Sequence, residues 1–251
     1  MSVTLGCLIV LGAAFDAPFQ QANTFYEQED FASAARGYEQ LVSEGVEHEA
    51  LFFNLGNAYY RSGNLGAAIA NYERALRQDP DHAAARHNLE LAVQSTKHQW
   101  GRPLPRAWEQ SLLMWHGAWR PREVYWSAVI CWCALWAFLT LRLWKDNKWF
   151  TRLAVVSALA AAAFATSAYS KYHPEDLAVA VRDGAAVRYG IGESQTLNFE
   201  LMQGDRVVVD DRREGWMQIR TADGGRGWVE ASALMLVGPP YSPAMAAPQQ
   251  P

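Results

Sequence analysis

Two apolar runs, eight residues apart, do most to limit what this chain can become. The first is Val124–Trp144 (VYWSAVICWCALWAFLTLRLW) and the second is Leu153–Tyr169 (LAVVSALAAAAFATSAY). At about 1.5 Å per residue, a helix over the first covers about 30 Å, the hydrocarbon thickness of a bilayer. The second reaches that length with Trp149, Phe150 and a snorkelling Arg152. A core helix of a soluble protein carries a polar stripe. The first run has only Ser127, Thr140 and, near its end, Arg142. The expectation is a two-helix transmembrane hairpin. Ala154, Ala158 and Ala162 are spaced so that the partner helix can approach closely. A hairpin also sends both flanking segments to the same side of the membrane.

The hairpin divides the 251 residues, so two small domains are expected beside it. A net charge of −4 gives no sign of nucleic-acid binding. Of the three cysteines, Cys7 lies in an N-terminal apolar stretch, and Cys131 and Cys133 lie inside the first run. The flanking segments therefore hold neither a disulfide framework nor a cysteine–zinc site. Cys131 and Cys133, two apart on a helix, do not share a face and read as apolar filler.

Residues 1–17 contain VTLGCLIVLGAAF, which has the apolar core of a secretory signal peptide but no Lys or Arg before it. An apolar lead-in helix on the following segment remains open as a second reading. Residues 18–97 hold an internal repeat. FYEQEDFASAARGYEQL from Phe25 and YYRSGNLGAAIANYERA from Tyr59 align at an offset of 34 residues. Asp30 then matches Asn64, Ala34 matches Ala68 and Tyr38 matches Tyr72. Gly56 and Ala68 permit close helix contact, Asn64 and Asp81 are candidate N-caps, and Pro80 stops a helix. A third copy starts at Ala83 and supplies a capping helix.

The 34-residue period, with Leu55-Gly56, Tyr59, Ala68, Tyr72, Ala75 and Pro80 in place, resembles the tetratricopeptide repeat. That resemblance implies an all-α repeat that binds peptides or partner proteins and does not catalyse. The positions it implies for partner contact are Asn23 in the first repeat and Phe53, Asn57, Tyr60 and Arg61 in the second. An asparagine amide offers a peptide backbone both a donor and an acceptor, and arginine offers a planar fork. Residues 98–123 place Trp108, Leu112, Trp115 and Trp119 on one helical face, which reads as an interfacial amphipathic helix. A helix packed on the repeats remains the other reading.

Residues 176–237 change to short strand-like runs separated by Asp183-Gly184, Gln203-Gly204, Glu214-Gly215 and Asp223-Gly224-Gly225. Such spacing predicts a small all-β barrel. VRYGIGES, LMQGDRVVV and GWMQIRTADGGRGWVEASAL resemble, in that order, a bacterial SH3-like domain. The resemblance implies a groove aromatic at Trp216, beside Tyr189 in the first loop, and a core role for Trp228. Residues 238–251 (GPPYSPAMAAPQQP) form a Pro/Ala-rich tail, expected to be disordered.

The six histidines are scattered, and no HExxH, P-loop or GxSxG pattern occurs. The expectation is a protein that is not an enzyme and needs no cofactor or metal. The order of repeats, two spans and SH3-like domain resembles the BatE-type proteins of bacterial aerotolerance operons, and the passage Ala85–Ala92 (ARHNLELA) adds to the likeness. That resemblance implies a scaffold in the bacterial inner membrane with its folded parts on the periplasmic side. Its implied partners are von Willebrand-type membrane proteins and a MoxR-type ATPase system. A cell-wall sensor or anchor binding peptidoglycan through the SH3-like domain is the competing reading.

Overall fold

The computed structural model describes residues 17–98, 101, 103, 119, 121–145, 147–172 and 175–238. The signal-like segment, nearly all of the expected interfacial helix and the Pro/Ala-rich tail lie outside the described residues. The chain forms two compact units: one contains the described residues up to 103 and from 175 onward, the other those between 104 and 174.

In the first unit, α1 (residues 17–27), α2 (Phe31–Ser43), α3 (Glu49–Arg61), α4 (Leu65–Gln78) and α5 (Ala83–Gln94) make two helix pairs and a final single helix. The starts of α2, α3, α4 and α5 are each fixed by a side-chain cap. Asp30 accepts from Ser33 N at 3.0 Å, and Asn64 accepts from Ala67 N at 3.3 Å. These hydrogen bonds from Ser33 hold the Asp30 carboxyl below its ordinary range. The cap of α5 is His82, whose Nδ1 accepts from Ala85 N at 3.1 Å, and not Asp81. His48 caps α3 in the same way, so two of the scattered histidines are helix starters. One core joins Ala22, Ala34, Tyr38, Leu41, Leu51, Leu55 and Ala58 between the helices. Gly56 is required there: a Cβ on it would lie 2.7 Å from the Tyr72 ring.

The strands are β1 (Asp176–Ala180), β2 (Ala185–Arg188), β3 (Leu197–Leu201), β4 (Arg206–Arg213), β5 (Trp216–Arg220), β6 (Arg226–Glu230) and β7 (Leu234–Leu236). They form one antiparallel sheet in the order β3-β2-β6-β5-β4-β1-β7. The barrel expected from the sequence is not closed: β3 and β7 are edges, and no pairing joins them among the described residues. Alternate residues such as Val187, Val207, Met217, Ile219 and Val229 fill the sheet's own core. Trp228 is half-buried on the opposite face, so the core role expected for it falls to its neighbour Val229.

The two soluble segments do not stand apart. Strand β1 is buried on both faces. Ala178 and Ala180 enter the sheet core, while Leu177 and Val179 join Ala68, Ile69, Tyr72, Leu89 and Ala92 of the helices in a shared core. Gly66 brings α4 onto β1 so tightly that a Cβ would meet Ala180 O at 2.3 Å. Buried polar groups fix the register of this seam. Arg206 Nη1 lies 3.1 Å from Glu73 Oε1. Arg74 donates to Leu236 O from Nε at 3.1 Å and from Nη2 at 2.6 Å, and to Asn71 Oδ1 at 3.1 Å. The β7 edge, an open hydrogen-bonding row in isolation, is thus partly covered by a repeat helix.

The second unit holds two long apolar helices, Pro121–Trp144 and Lys148–Tyr172, packed side by side. The second is longer than its apolar run because it starts at Lys148. Its buried alanines are Ala154, Ala161 and Ala168, seven apart, rather than Ala154, Ala158 and Ala162, and Ser167, next to Ala168 in sequence, is buried as well. Steps of four residues drift around an α-helix, whereas steps of seven stay near one seam when two helices wrap together. Ala162 accordingly turns outward.

Candidate functional site

Hydrogen bonding in the repeats is itself repeated. Tyr38 Oη donates to Asn23 Oδ1 at 2.6 Å, and Asn54 Nδ2 donates to the same oxygen at 3.3 Å. One repeat on, Tyr72 Oη and Asn88 Nδ2 donate to Asn57 Oδ1, both at 2.9 Å. Each member stands 34 residues from its counterpart. Burial pushes the Tyr38 phenol up to about 12 and raises that of Tyr72 as well. Both phenols therefore stay protonated donors at neutral pH.

This ladder changes what Asn57 can offer. Both lone pairs of its Oδ1 are taken internally, so a ligand meets its amide N–H donors and not an acceptor. Asn57, Tyr60 and Arg61 line a recess of about 140 Å³ with Tyr26, Asn88 and Leu91, walled at its base by Tyr72. The recess opens between α1, α3 and α5. Arg61 is held at its rim: its guanidinium lies 4.5 Å from the Phe31 ring centroid and 3.9 Å from Glu29 Oε1. Three of the five expected contact residues thus share one cavity. Asn23 belongs to the equivalent ladder of the first repeat. Phe53 sits elsewhere, with its ring centroid 4.9 Å from that of His82 and 6.2 Å from that of Tyr72, and packs against the cores.

Three lining residues were not singled out from the sequence: Tyr26, Asn88 and Leu91. Asn88 was legible as the third-copy equivalent of Asn54. For Leu91 the available hint was an apolar residue among His87, Asn88, Glu90 and Gln94, and the structure leaves it 40% exposed.

On the sheet, Tyr189 is 68% exposed and Trp216 half-buried. They follow β2 and begin β5 respectively, with β6 between those strands. Trp228 on β6 stands opposite Arg188 and Gln218, and the Arg213 guanidinium lies 5.8 Å from its ring centroid. Among the described residues, no group of three or more His, Cys, Asp or Glu side chains is placed to hold a metal ion.

These helices, their 34-residue period and the recess between their first members define a helical-repeat interaction module. A tetratricopeptide repeat family model matches residues 19–83, which carry α2, α3 and α4 whole and stop before the strands. No curated protein matches the chain.

Proposed function

We propose that the protein is a membrane-anchored envelope scaffold that holds an extended segment of a partner protein in the recess between α1, α3 and α5. The carrying observation is an asymmetry. The sheet covers α4 and one side of α5, while the recess lined by Asn57, Tyr60 and Arg61 stays open. Asn57 N–H and the Arg61 fork both address acceptors, so the preferred segment presents carbonyls or a carboxylate. Tyr26, Tyr60 and Leu91 add apolar surface for one side chain. Replacing Arg61 and Tyr60 together by alanine should weaken partner capture about tenfold to a hundredfold, a loss of about 1–3 kcal/mol. Capture is read by crosslinking the full chain in its membrane and quantifying the adducts. Undiminished capture would show that the recess is not the binding surface.

Two observations support the membrane reading. The apolar helices bury only 6% and 22% of their most apolar stretches, unlike core helices. Residues before and after them also share one core, so the chain crosses an even number of times. A single crossing would put α4 and β1 on opposite sides of the bilayer. Both folded segments then face one side, and we assign that side to the periplasm. Charge alone does not decide, since Arg142, Lys145, Lys148 and Arg152 balance Arg102, Arg106, Arg120 and Arg122. A reporter fused after Val237 that works only in the cytoplasm would overturn the assignment.

The strand order and glycine turns support an SH3-like ancestry for the sheet. With the repeats and the apolar pair, they support a BatE-type role beside von Willebrand-type membrane proteins and a MoxR-type ATPase system. The half-buried Trp216 and Trp228 and the exposed Tyr189 favour one second reading, a peptidoglycan contact on the sheet. Retention of the full chain on purified peptidoglycan, lost on Trp216→Ala with Tyr189→Ala, distinguishes it.

A further inference from the structure

The loop end of the apolar pair collects cations that its own chain does not neutralise. Arg142 lies in the last turn of the first helix, and Lys145 continues that turn, its backbone N donating to Leu141 O at 2.9 Å. Lys148 and Arg152 open the second helix. Spacings of three and four residues put each pair on one flank of its helix. All four side chains are exposed, and the single acid in this stretch is Asp146. Among the described residues, none of the four forms an ion pair. Trp144, 91% exposed, and Trp149, 63% exposed, mark the depth of the headgroups.

The two arginines lie deeper than these tryptophans. At 1.5 Å per residue, Arg142 is about 3 Å inward of Trp144 and Arg152 about 4.5 Å inward of Trp149. Side chains leave an α-helix tilted toward its N-terminus. That tilt turns Arg152 back toward the loop, where its guanidinium rests 4.9 Å from the Trp149 ring centroid. It turns Arg142 the other way, toward the hydrocarbon. Arg142 also falls in line with half-buried Leu135 and Phe138, on the side of the first helix that faces the second. A charge so placed is costly unless an anion meets it.

We infer that these two pairs are headgroup sites for anionic phospholipid, one phosphate to each pair, with Arg142 and Lys145 the tighter. The inference rests on the membrane reading above. Lipid phosphate is the anion that a bilayer offers at this depth, and basic clusters beside membrane helices hold it. The arginine fork takes two phosphate oxygens, and the lysine adds a point charge. A zwitterionic headgroup brings its own cation into competition. Four cations against one acid therefore select a lipid whose net charge is negative.

Native mass spectrometry of the full-length protein in detergent makes the test, with phosphatidylglycerol and phosphatidylcholine of matched chain length added in equal amounts. The protein should retain phosphatidylglycerol about fivefold or more over phosphatidylcholine. Arg142→Gln with Lys145→Gln should remove most of that preference. Adding Lys148→Gln and Arg152→Gln should bring the ratio to about one, while the variant still resists carbonate extraction from membranes. Arg102→Gln, Arg106→Gln and Arg120→Gln together, before the first helix, should leave the ratio unchanged, and excess glycerol phosphate should displace no lipid. Displacement by glycerol phosphate overturns lipid as the occupant. Equal retention of both lipids by a carbonate-resistant wild type, or a ratio lowered as far by the three substitutions before the helix, overturns the sites alone. Release of the wild type by carbonate overturns the membrane reading and the sites with it.

Discussion

Helices α2 and α4 hold the same place in successive repeats, yet one is a surface helix and the other is buried through ten consecutive residues, Gly66 to Ala75. The differences between them are the docking site of the sheet. Exposed Ala32 becomes Gly66, whose missing Cβ admits Ala180 O. Ala35 becomes Ile69, in the shared core. Exposed Arg36 becomes Ala70, and exposed Gln40 becomes Arg74, which bonds β7. Positions that build the repeat itself, Ala34/Ala68 and Tyr38/Tyr72, do not change. Repeat arrays need their last apolar face covered, usually by a capping helix. Here α5 begins that cover and the sheet completes it, so two and a half repeats stand without a third complete one.

The sharpest way to break this comparison is to make the same substitution at both places. Glu73→Ala removes the carboxylate from Arg206 across the seam, where both side chains are almost fully buried. Breaking such a pair costs about 3–5 kcal/mol. Its equivalent Glu39, exposed and accepting from the Tyr59 hydroxyl, should cost about 1 kcal/mol or less as Glu39→Ala. Thermal unfolding of the detergent-solubilised chain reads both, and equal losses would mean that the seam is not a cooperative part of the unit. A smaller steric version uses Gly66→Ala, expected to cost about 1–3 kcal/mol against the β1 backbone. Ala32→Leu, on the exposed helix, should stay within about 0.5 kcal/mol.

The repeat was legible because its signals are local: a 34-residue period, small residues at helix crossings and caps at helix starts. The recess was legible in part, since Asn57, Tyr60 and Arg61 follow from position within the repeat. The use of Asn57 was not. That its oxygen is consumed by Tyr72 and Asn88 depends on a neighbouring helix. The docking of the sheet was hidden for a related reason. Asn71, Glu73 and Arg74 look like a solvated helix face, and only a partner from more than 100 residues away turns them inward. The run Leu177–Ala180 (LAVA) in β1 carried a trace of it, for an unbroken apolar run signals a strand covered on both faces.

Alkaline pH probes both repeats at once. A buried phenol has a higher pKa folded than unfolded, so its contribution is complete below about 10, the unfolded value, and is lost as pH rises toward the folded value. For Tyr38 that window runs from about 10 to about 12. Between those limits the unfolded chain has released a proton that the folded chain retains, and unfolding becomes easier. Tyr38→Phe should cost about 1 kcal/mol at pH 7 through the lost bond to Asn23 and flatten this alkaline decline. A decline unchanged in Tyr38→Phe and Tyr72→Phe alike would place its origin outside the ladder.

The smallest expected effect carries the opposite sign. The turn after α1 places Glu29 at φ 60°, and the turn after α3 places Gly63 at φ 81° in the equivalent position. Left-handed backbone costs a side chain about 1 kcal/mol that glycine avoids. Glycine in turn loses more freedom on folding, which offsets part of the gain. Glu29 also faces Arg61, but at 3.9 Å, with both side chains at least half exposed, the pair contributes little. Glu29→Gly should therefore stabilise the first repeat by a few tenths to about 1 kcal/mol. It also frees Arg61 from its nearest carboxylate, so partner capture should hold or rise. A destabilised Glu29→Gly variant would mean that the Glu29–Arg61 contact contributes more than the strained turn costs, and that Arg61 is held by the first repeat rather than offered to a partner.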